Sequence, residues 1–326
     1  MVETSLFLKE LEYALDNDQT KEITSIALKI KEMVERKNYS YPDETLAAAR
    51  LNRQVMRVAA KAYRHDQVDV ADLLLFNFVK DFNHAAHNNE SLLQILSKNS
   101  RNVKRIDFAI KKGADPLYSP KITVQDSPVV ISLEHGANNV FDLYCAHDPS
   151  ILKKPINGGG NYLVHILIKK KLALALQRTL HKIKEVGGTD LSSHQNENKW
   201  NSIHTLALLT HETHIEEKVM GTEHTKIHAM VDHLESHSPA EFVKMCEAAN
   251  RSNKTPLDFC RNEDQTIYNY LIEKVGKILV SDPKLSPISK DLFEQLRKTE
   301  SEKNKLAMQL TDKKTYFGKA SEIRVR

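Results

Sequence analysis

The residues of this chain best equipped for chemistry are its histidines and cysteines. Seven of the fifteen histidines crowd one stretch: His204, His211, His214, His224, His228, His233 and His237. His224/His228 and His233/His237 are i,i+4 pairs, the spacing at which two imidazoles on one helix face can share a zinc ion. A zinc-protease signature is missing, because His211-Glu-Thr-His214 has the wrong gap. A thiol nucleophile needs a lowered pKa and a histidine within reach. Cys145 has His147 beside it, Cys246 shares its stretch with His233 and His237, and Cys260 is the third thiol. An odd number of scattered cysteines makes no disulfide framework and fits a reducing compartment.

Two further features invite a chemical reading and lose it on inspection. Asn157-Gly-Gly-Gly-Asn161 has the glycines of a phosphate loop, but no Lys-Ser/Thr follows and no strand pattern precedes it. Lys153-Lys154 and Lys169-Lys-Lys171 are short, and no RNA-reading aromatic motif accompanies them. With 47 basic against 43 acidic residues the net charge is only +4. That balance argues against nucleic acid as the partner. The sequence therefore assigns no catalytic residue, no metal site and no cofactor.

The elements that would carry such residues are helices. Glycine and proline number 10 each, too few for the many turns of a sandwich or barrel. The longest apolar runs, Leu73 to Phe76 and Leu172 to Leu176, fall far short of the ~18 residues of a membrane span. Glu3, Glu10 and Glu12 interrupt the N-terminus, so no Sec-type signal peptide is expected. A soluble, intracellular protein is the expectation.

A repeat runs through the chain. A turn-to-helix signal recurs at Gln54-Val-Met-Arg57, Ser91-Leu-Leu-Gln94, Ser127-Pro-Val-Val130, Tyr162-Leu-Val-His165, Asn201-Ser-Ile-His204 and Thr255-Pro-Leu-Asp258, with spacings of 37, 36, 35, 39 and 54. A closing aspartate recurs at Asp81, Asp115, Asp148 and Asp190, with spacings of 34, 33 and 42. Between landmarks lie two short apolar patterns, such as Pro128 to Leu133 and Val140 to Tyr144. Two antiparallel helices per unit follow, each with one apolar stripe that only a neighbour can cover.

Asn250-Arg-Ser-Asn-Lys-Thr-Pro-Leu-Asp258 resembles the ankyrin turn that leads into Thr-Pro-Leu-His, and Lys111-Lys-Gly-Ala-Asp-Pro116 resembles the Gly-Ala-Asp that closes an ankyrin repeat. The resemblance to the ankyrin family covers roughly residues 51–280. It implies an all-α, ankyrin-type helix-turn-helix repeat solenoid of about six units. Residues 1–50 would form an N-terminal helical cap, and 281–326 a linker, a polar helix (Lys290 to Leu310) and a basic tail. The unit over 201–254 is too long, and Ser238 to Ala249, where Pro239 can start a short helix, supplies the excess. The same resemblance puts His165 and His204 in the family's helix-start histidine slot and His211 at the start of a second helix. It puts Cys260 where a buried alanine is usual. All four then read as scaffold.

Ankyrin proteins bind through finger turns and the exposed positions of their first helices. Here the fingers are Glu90, Asp126, Asn161, Trp200 and Lys254, and the helix ends offer Lys61, Lys98, Glu134, His135, Lys169, Lys170, Leu208, Leu209 and Asn262. Trp200, the single tryptophan, is the leading hot spot, with Leu208 and Leu209 extending its patch. The expected function is protein–protein interaction by a monomer. The Lys-, Asn-, Ile- and His-rich composition and the eroded repeats resemble ankyrin-containing effectors of intracellular bacteria. That implies a host protein as partner and export by a route without a signal peptide. A cysteine hydrolase carried on the scaffold and a non-secreted intracellular scaffold are the alternatives.

Overall fold

The computed structural model describes residues 2–36, 45–87, 89–120, 127–156, 159–188, 190–216, 222–263 and 265–281. The side chains of 2–4, 45–47, 87, 210–216, 222–225, 261–263, 265–266 and 280 are outside that description. The described chain is mostly helical and divides into two compact units, 1–187 and 188–326.

The first unit is built from five helix pairs: α1 (Val2–Asp16) with α2 (Thr20–Glu35), α3 (Thr45–Arg64) with α4 (Val68–Phe78), α5 (Leu92–Ser97) with α6 (Val103–Lys111), α7 (Pro128–Glu134) with α8 (Asn138–His147), and α9 (Leu163–Lys169) with α10 (Ala173–Glu185). First helices pack on first helices, α1 on α3, α3 on α5, α5 on α7 and α7 on α9. Second helices do the same, α2 on α4 and α6 on α8. Most of these helices, from α4 on, are too short to persist alone. What holds each is its buried stripe, such as Val129, Val130 and Ile131 on α7 or Leu163, Val164, Ile166, Leu167 and Ile168 on α9. Full burial of one such side chain contributes about 1.5–3 kcal/mol. A two-stranded hairpin, β1 (Ala85–His87) and β2 (Glu90–Ser91), projects before α5 and packs on α3.

Four of the five pairs turn in the same way. Asp18, Asp66, Gly136 and Lys171 sit at φ +51°, +55°, +66° and +55°, one per inter-helix turn. The following residue sends its N–H five residues back: Gln19 to Ala14, Gln67 to Ala62, Ala137 to Ser132 and Leu172 to Leu167, at 2.7–3.0 Å. This is the left-handed helix cap, which satisfies the last carbonyls of the first helix and aims the chain into the second. Only one of the four positions is a glycine, so the turn is nearly invisible to a search for glycine.

The sequence landmarks correspond to repeated local structure. Ser91, Ser127, Tyr162, Asn201 and Thr255 each immediately precede a helix. The residue three places on receives the first backbone N–H in four cases: Gln94 from Ser91, His165 from Tyr162, His204 from Asn201 and Asp258 from Thr255. Glutamine, histidine and aspartate fill one role, closing the helix start from inside. The closing aspartates also act alike. Asp81, Asp115, Asp148 and Asp190 each accept, at 2.8–2.9 Å, the N–H two residues on. The sixth expected landmark is different: Gln54 to Arg57 lies in the middle of α3, and α3 also runs through residue 50, where the cap was expected to end. No proline or glycine interrupts Thr45–Arg64, and its alanines and arginines are strong helix formers, so no helix start can form there.

The second unit holds α11 (Ser202–Glu216), α12 (Thr222–His237), α13 (Pro239–Glu247), α14 (Pro256–Glu263) and α15 (Gln265–Ser281). α11 packs on α14, α14 on α15 and α12 on α15. α13 is the short extra helix expected over Ser238 to Ala249. Ser238 caps it, its hydroxyl accepting from the Glu241 N–H, and Pro239 occupies its first turn. It buries Phe242, Val243, Met245 and Cys246 against α11, α12, α14 and α15.

An unforeseen periodicity joins the second helices. Asp72, Asp107 and Asp142 recur every 35 residues, each directly after a fully buried residue (Ala71, Ile106, Phe141). Each pairs with a base on the next second helix. Asp72 accepts from Arg105 at 2.5 and 2.7 Å, Asp107 meets His147 at 2.8 Å, and Asp142 meets Arg178. In the second unit Asp232, after buried Val231, meets Lys274 at 2.7 Å.

Candidate partner-binding surface

The second unit carries two finger loops of one construction. In Asn196–Trp200 the Asn196 N–H donates to the Trp200 carbonyl (3.0 Å), and the Asn196 side-chain oxygen accepts from Asn198 and Trp200 N–H at 3.0 Å each. In Asn250–Lys254 the Asn250 N–H donates to the Lys254 carbonyl (3.0 Å), and its side-chain oxygen accepts from Ser252 (2.8 Å) and Lys254 (3.1 Å). An asparagine four residues before the tip closes each loop, because its amide oxygen substitutes for a backbone acceptor. The residue before each tip is left-handed: Lys199 at φ +56° and Asn253 at φ +56°. Asn89 and Gly160 hold the same place two residues before Ser91 and Tyr162.

The two fingers are tied side by side. The Arg251 N–H donates to the Asn198 carbonyl at 3.1 Å. His204 receives the Asn201 N–H on Nδ1 at 3.3 Å, so its proton is on Nε2, which donates to the Lys254 carbonyl at 3.1 Å. Burial holds this imidazole below its ordinary pKa, which keeps the neutral form the two bonds require. Asn201 anchors the first finger from below by donating its side-chain N–H to the Met245 carbonyl (2.7 Å).

Aromatic rings top this frame. Trp200 is half-buried, 5.7 Å edge-on from Phe259 and 6.3 Å over His204. The Lys254 ammonium lies 5.8 Å from the Phe259 ring. Lys199, Arg251 and Lys254 are exposed around the rings, and none of them forms an ion pair among the described residues. The arrangement offers an apolar plate with a cationic border, on a base held by backbone hydrogen bonds.

The other expected contact residues are distributed differently. Lys98 is spent on Glu90 (2.8 Å), which also meets Arg64, and Lys170 is spent on Glu134 (3.1 Å). Lys61 is buried and bonded to Asp16 (2.5 Å). His135 and Lys169 are exposed. Asn161 and Leu209, expected on the surface, are instead buried at 8% and 5% exposure. The Asn161 carbonyl closes its own finger by accepting from Ile156 at 2.8 Å, and Leu209 faces inward on α11. Leu208 is half-buried. Asp126 and the side chain of Asn262 lie outside the described residues. Phe259 and Arg251 join this surface without having been among the expected contact residues. The asparagine four places before each tip is a signal that marks the finger of Arg251, whereas nothing local marks Phe259.

The chemical candidates are placed as follows. All three thiols are buried. Burial pushes Cys145 up to about 12 and holds Cys246 well above the ordinary thiol range. His228 stacks on Tyr270 at 4.1 Å. The side chains of His211, His214 and His224 lie outside the described residues. Among the described residues no cluster of three or more His, Cys, Asp and Glu is set to hold a metal, and no helix is long and apolar enough to cross a membrane.

Compared with protein-family models and with curated proteins, the chain matches none.

Proposed function

We propose that the chain is an ankyrin-type stack of helix pairs whose function is to bind another protein, with the paired fingers around Trp200 as the contact. The observation that carries this reading is the aromatic pair of Trp200 and Phe259, backed by buried His204 and bordered by the exposed cations Lys199, Arg251 and Lys254, which form no ion pair among the described residues. A half-buried tryptophan on a rigid loop offers contact area at little entropic cost, and such residues dominate interface energetics. The cationic border fits a partner segment that presents an apolar side chain among carboxylates. Four helix-start positions with one capping role and four closing aspartates with one turn support the ankyrin-type reading. The resemblance to bacterial effectors adds that the partner is a host protein.

The test is affinity capture from host lysate with the wild-type chain and with Trp200→Ala. Truncating a hot-spot tryptophan costs about 2 kcal/mol or more, roughly 30-fold in affinity. Capture that persists undiminished, with helicity unchanged, would sink this site.

A further inference from the structure

A second site, independent of the fingers, lies in the first unit. An open hollow of about 530 Å³ forms where α1, α3 and β1 meet. Arg50, Arg53 and Arg57 stand at i, i+3 and i+7 of α3, so they share one face and point into the same space. Lys9 reaches it from α1. Gln54 fixes that approach: its amide oxygen accepts from the Ser5 hydroxyl (3.1 Å) and its amide N–H donates to the Ser5 carbonyl (3.2 Å), one helical turn before Lys9. Ala85 and Ala86 of β1 form a small-residue wall that leaves the space open.

Four cations line this hollow, and no described residue lining it is acidic. Arg57 is partly satisfied by Glu12 at 2.8 Å. Lys9, Arg50 and Arg53 are exposed and form no ion pair among the described residues. Several other bases of this unit are matched with acids, Arg64 and Lys98 with Glu90, Arg105 with Asp72 and Lys170 with Glu134, whereas here three unmatched cations share one concave space. Like charges three and four residues apart on a helix repel, so an unmatched cluster in a concave place costs stability unless an anion occupies it. Arginine forks match the geometry of phosphate oxygens. We propose that this hollow is a binding site for a phosphate group, held by Arg50, Arg53 and Lys9 with Arg57 at its edge.

The experiment is calorimetric titration of the full chain with inorganic pyrophosphate at low ionic strength. The comparisons are Arg50→Gln/Arg53→Gln, Arg50→Glu/Arg53→Glu and the charge-matched control Lys104→Glu/Lys184→Glu. Lys104 and Lys184 are exposed, form no ion pair among the described residues and are not part of the hollow. One site is expected. The neutral pair should weaken binding about tenfold or more, the factor that a lost charge-assisted contact carries, and the reversed pair should abolish it. The control should stay within about twofold, because diffuse surface charge contributes little. Circular dichroism checks that each variant keeps its helices. A serine peptide compared with its phosphoserine form separates two sources: tighter binding of the phosphopeptide than of pyrophosphate assigns the phosphate to a polypeptide, and the reverse assigns it to a free small molecule. No pyrophosphate binding, or equal weakening in the control, overturns the proposal. So does tighter binding of a single-stranded RNA oligomer with a steep salt dependence, the mark of an extended polyanion surface.

Discussion

Lowering the pH should destabilise the second unit through His194. This imidazole sits just after the Asp190 turn, 2% exposed, and burial pushes it down to about 4 despite the nearby Asp190 charge. In the unfolded chain it takes its proton near pH 6.5. The unfolded state therefore binds the proton first, and the stability contributed by the neutral buried ring is full above that pH and drains as pH falls toward 4. Each pH unit in that window is worth about 1.4 kcal/mol, so the step from pH 7.5 to pH 5 removes about 2 kcal/mol. His204 and His233, also lowered by burial, act in the same direction. Glu241, raised by burial, acts in the opposite one, because its folded carboxyl takes a proton more readily than the unfolded one. The difference between wild type and His194→Leu isolates the histidine. Trp200, the single tryptophan, lies in this unit, so its emission during urea unfolding reports this unit alone. With a slope of about 1.5 kcal/mol/M, the midpoint should fall by roughly 1 M more in wild type than in His194→Leu. Equal shifts in both proteins refute the reasoning.

Asp72→Ala should cost the first unit about 2 kcal/mol by thermal melting. It removes the acceptor of Tyr63 (2.6 Å) and both Arg105 bonds, and leaves that guanidinium unpaired. Asn250→Ala should cost the second unit about 1–2 kcal/mol and weaken partner capture, since two N–H groups of the finger lose their acceptor; intact capture would separate the loop from the site. Cys246, fully buried with its thiol held protonated, should react with iodoacetamide only as fast as its helices open, and urea should speed the labelling sharply.

Much of the helical framework was legible because its landmarks are chemical. The residue three places into each of these starts must accept an N–H, so Gln94, His165, His204 and Asp258 differ in type yet mark the same event. The closing aspartates were legible for the same reason. Gln54 misled because spacing alone placed it, with no capping chemistry in Thr45–Arg64 to support it. The inter-helix turns were illegible where Asp18, Asp66 and Lys171 take the left-handed position, since the packing of two helices forces a conformation those residues do not announce. At the candidate site Trp200 was found, but its companion Phe259 lies 59 residues away and meets it only through the pairing of the two fingers. Asn161 and Leu209 were misplaced because register gives a position along a helix, whereas burial depends on what packs against it.

The helix-pair order of the first unit has a consequence during synthesis. α3 packs back on α1, α5 on α3 and α7 on α5, and each is then covered from the other side by the next pair. Each pair can therefore dock on the one before it as it leaves the ribosome, and the face it leaves open waits about 35 residues for the next pair. The second unit obeys another timetable. The Leu191 N–H waits for the Glu241 carboxylate, the Asn201 amide for the Met245 carbonyl and His204 for the Lys254 carbonyl. Until roughly fifty more residues have emerged, α11 has its buried leucines exposed. That nascent stretch is where a chaperone would be needed and where premature termination would leave a sticky product.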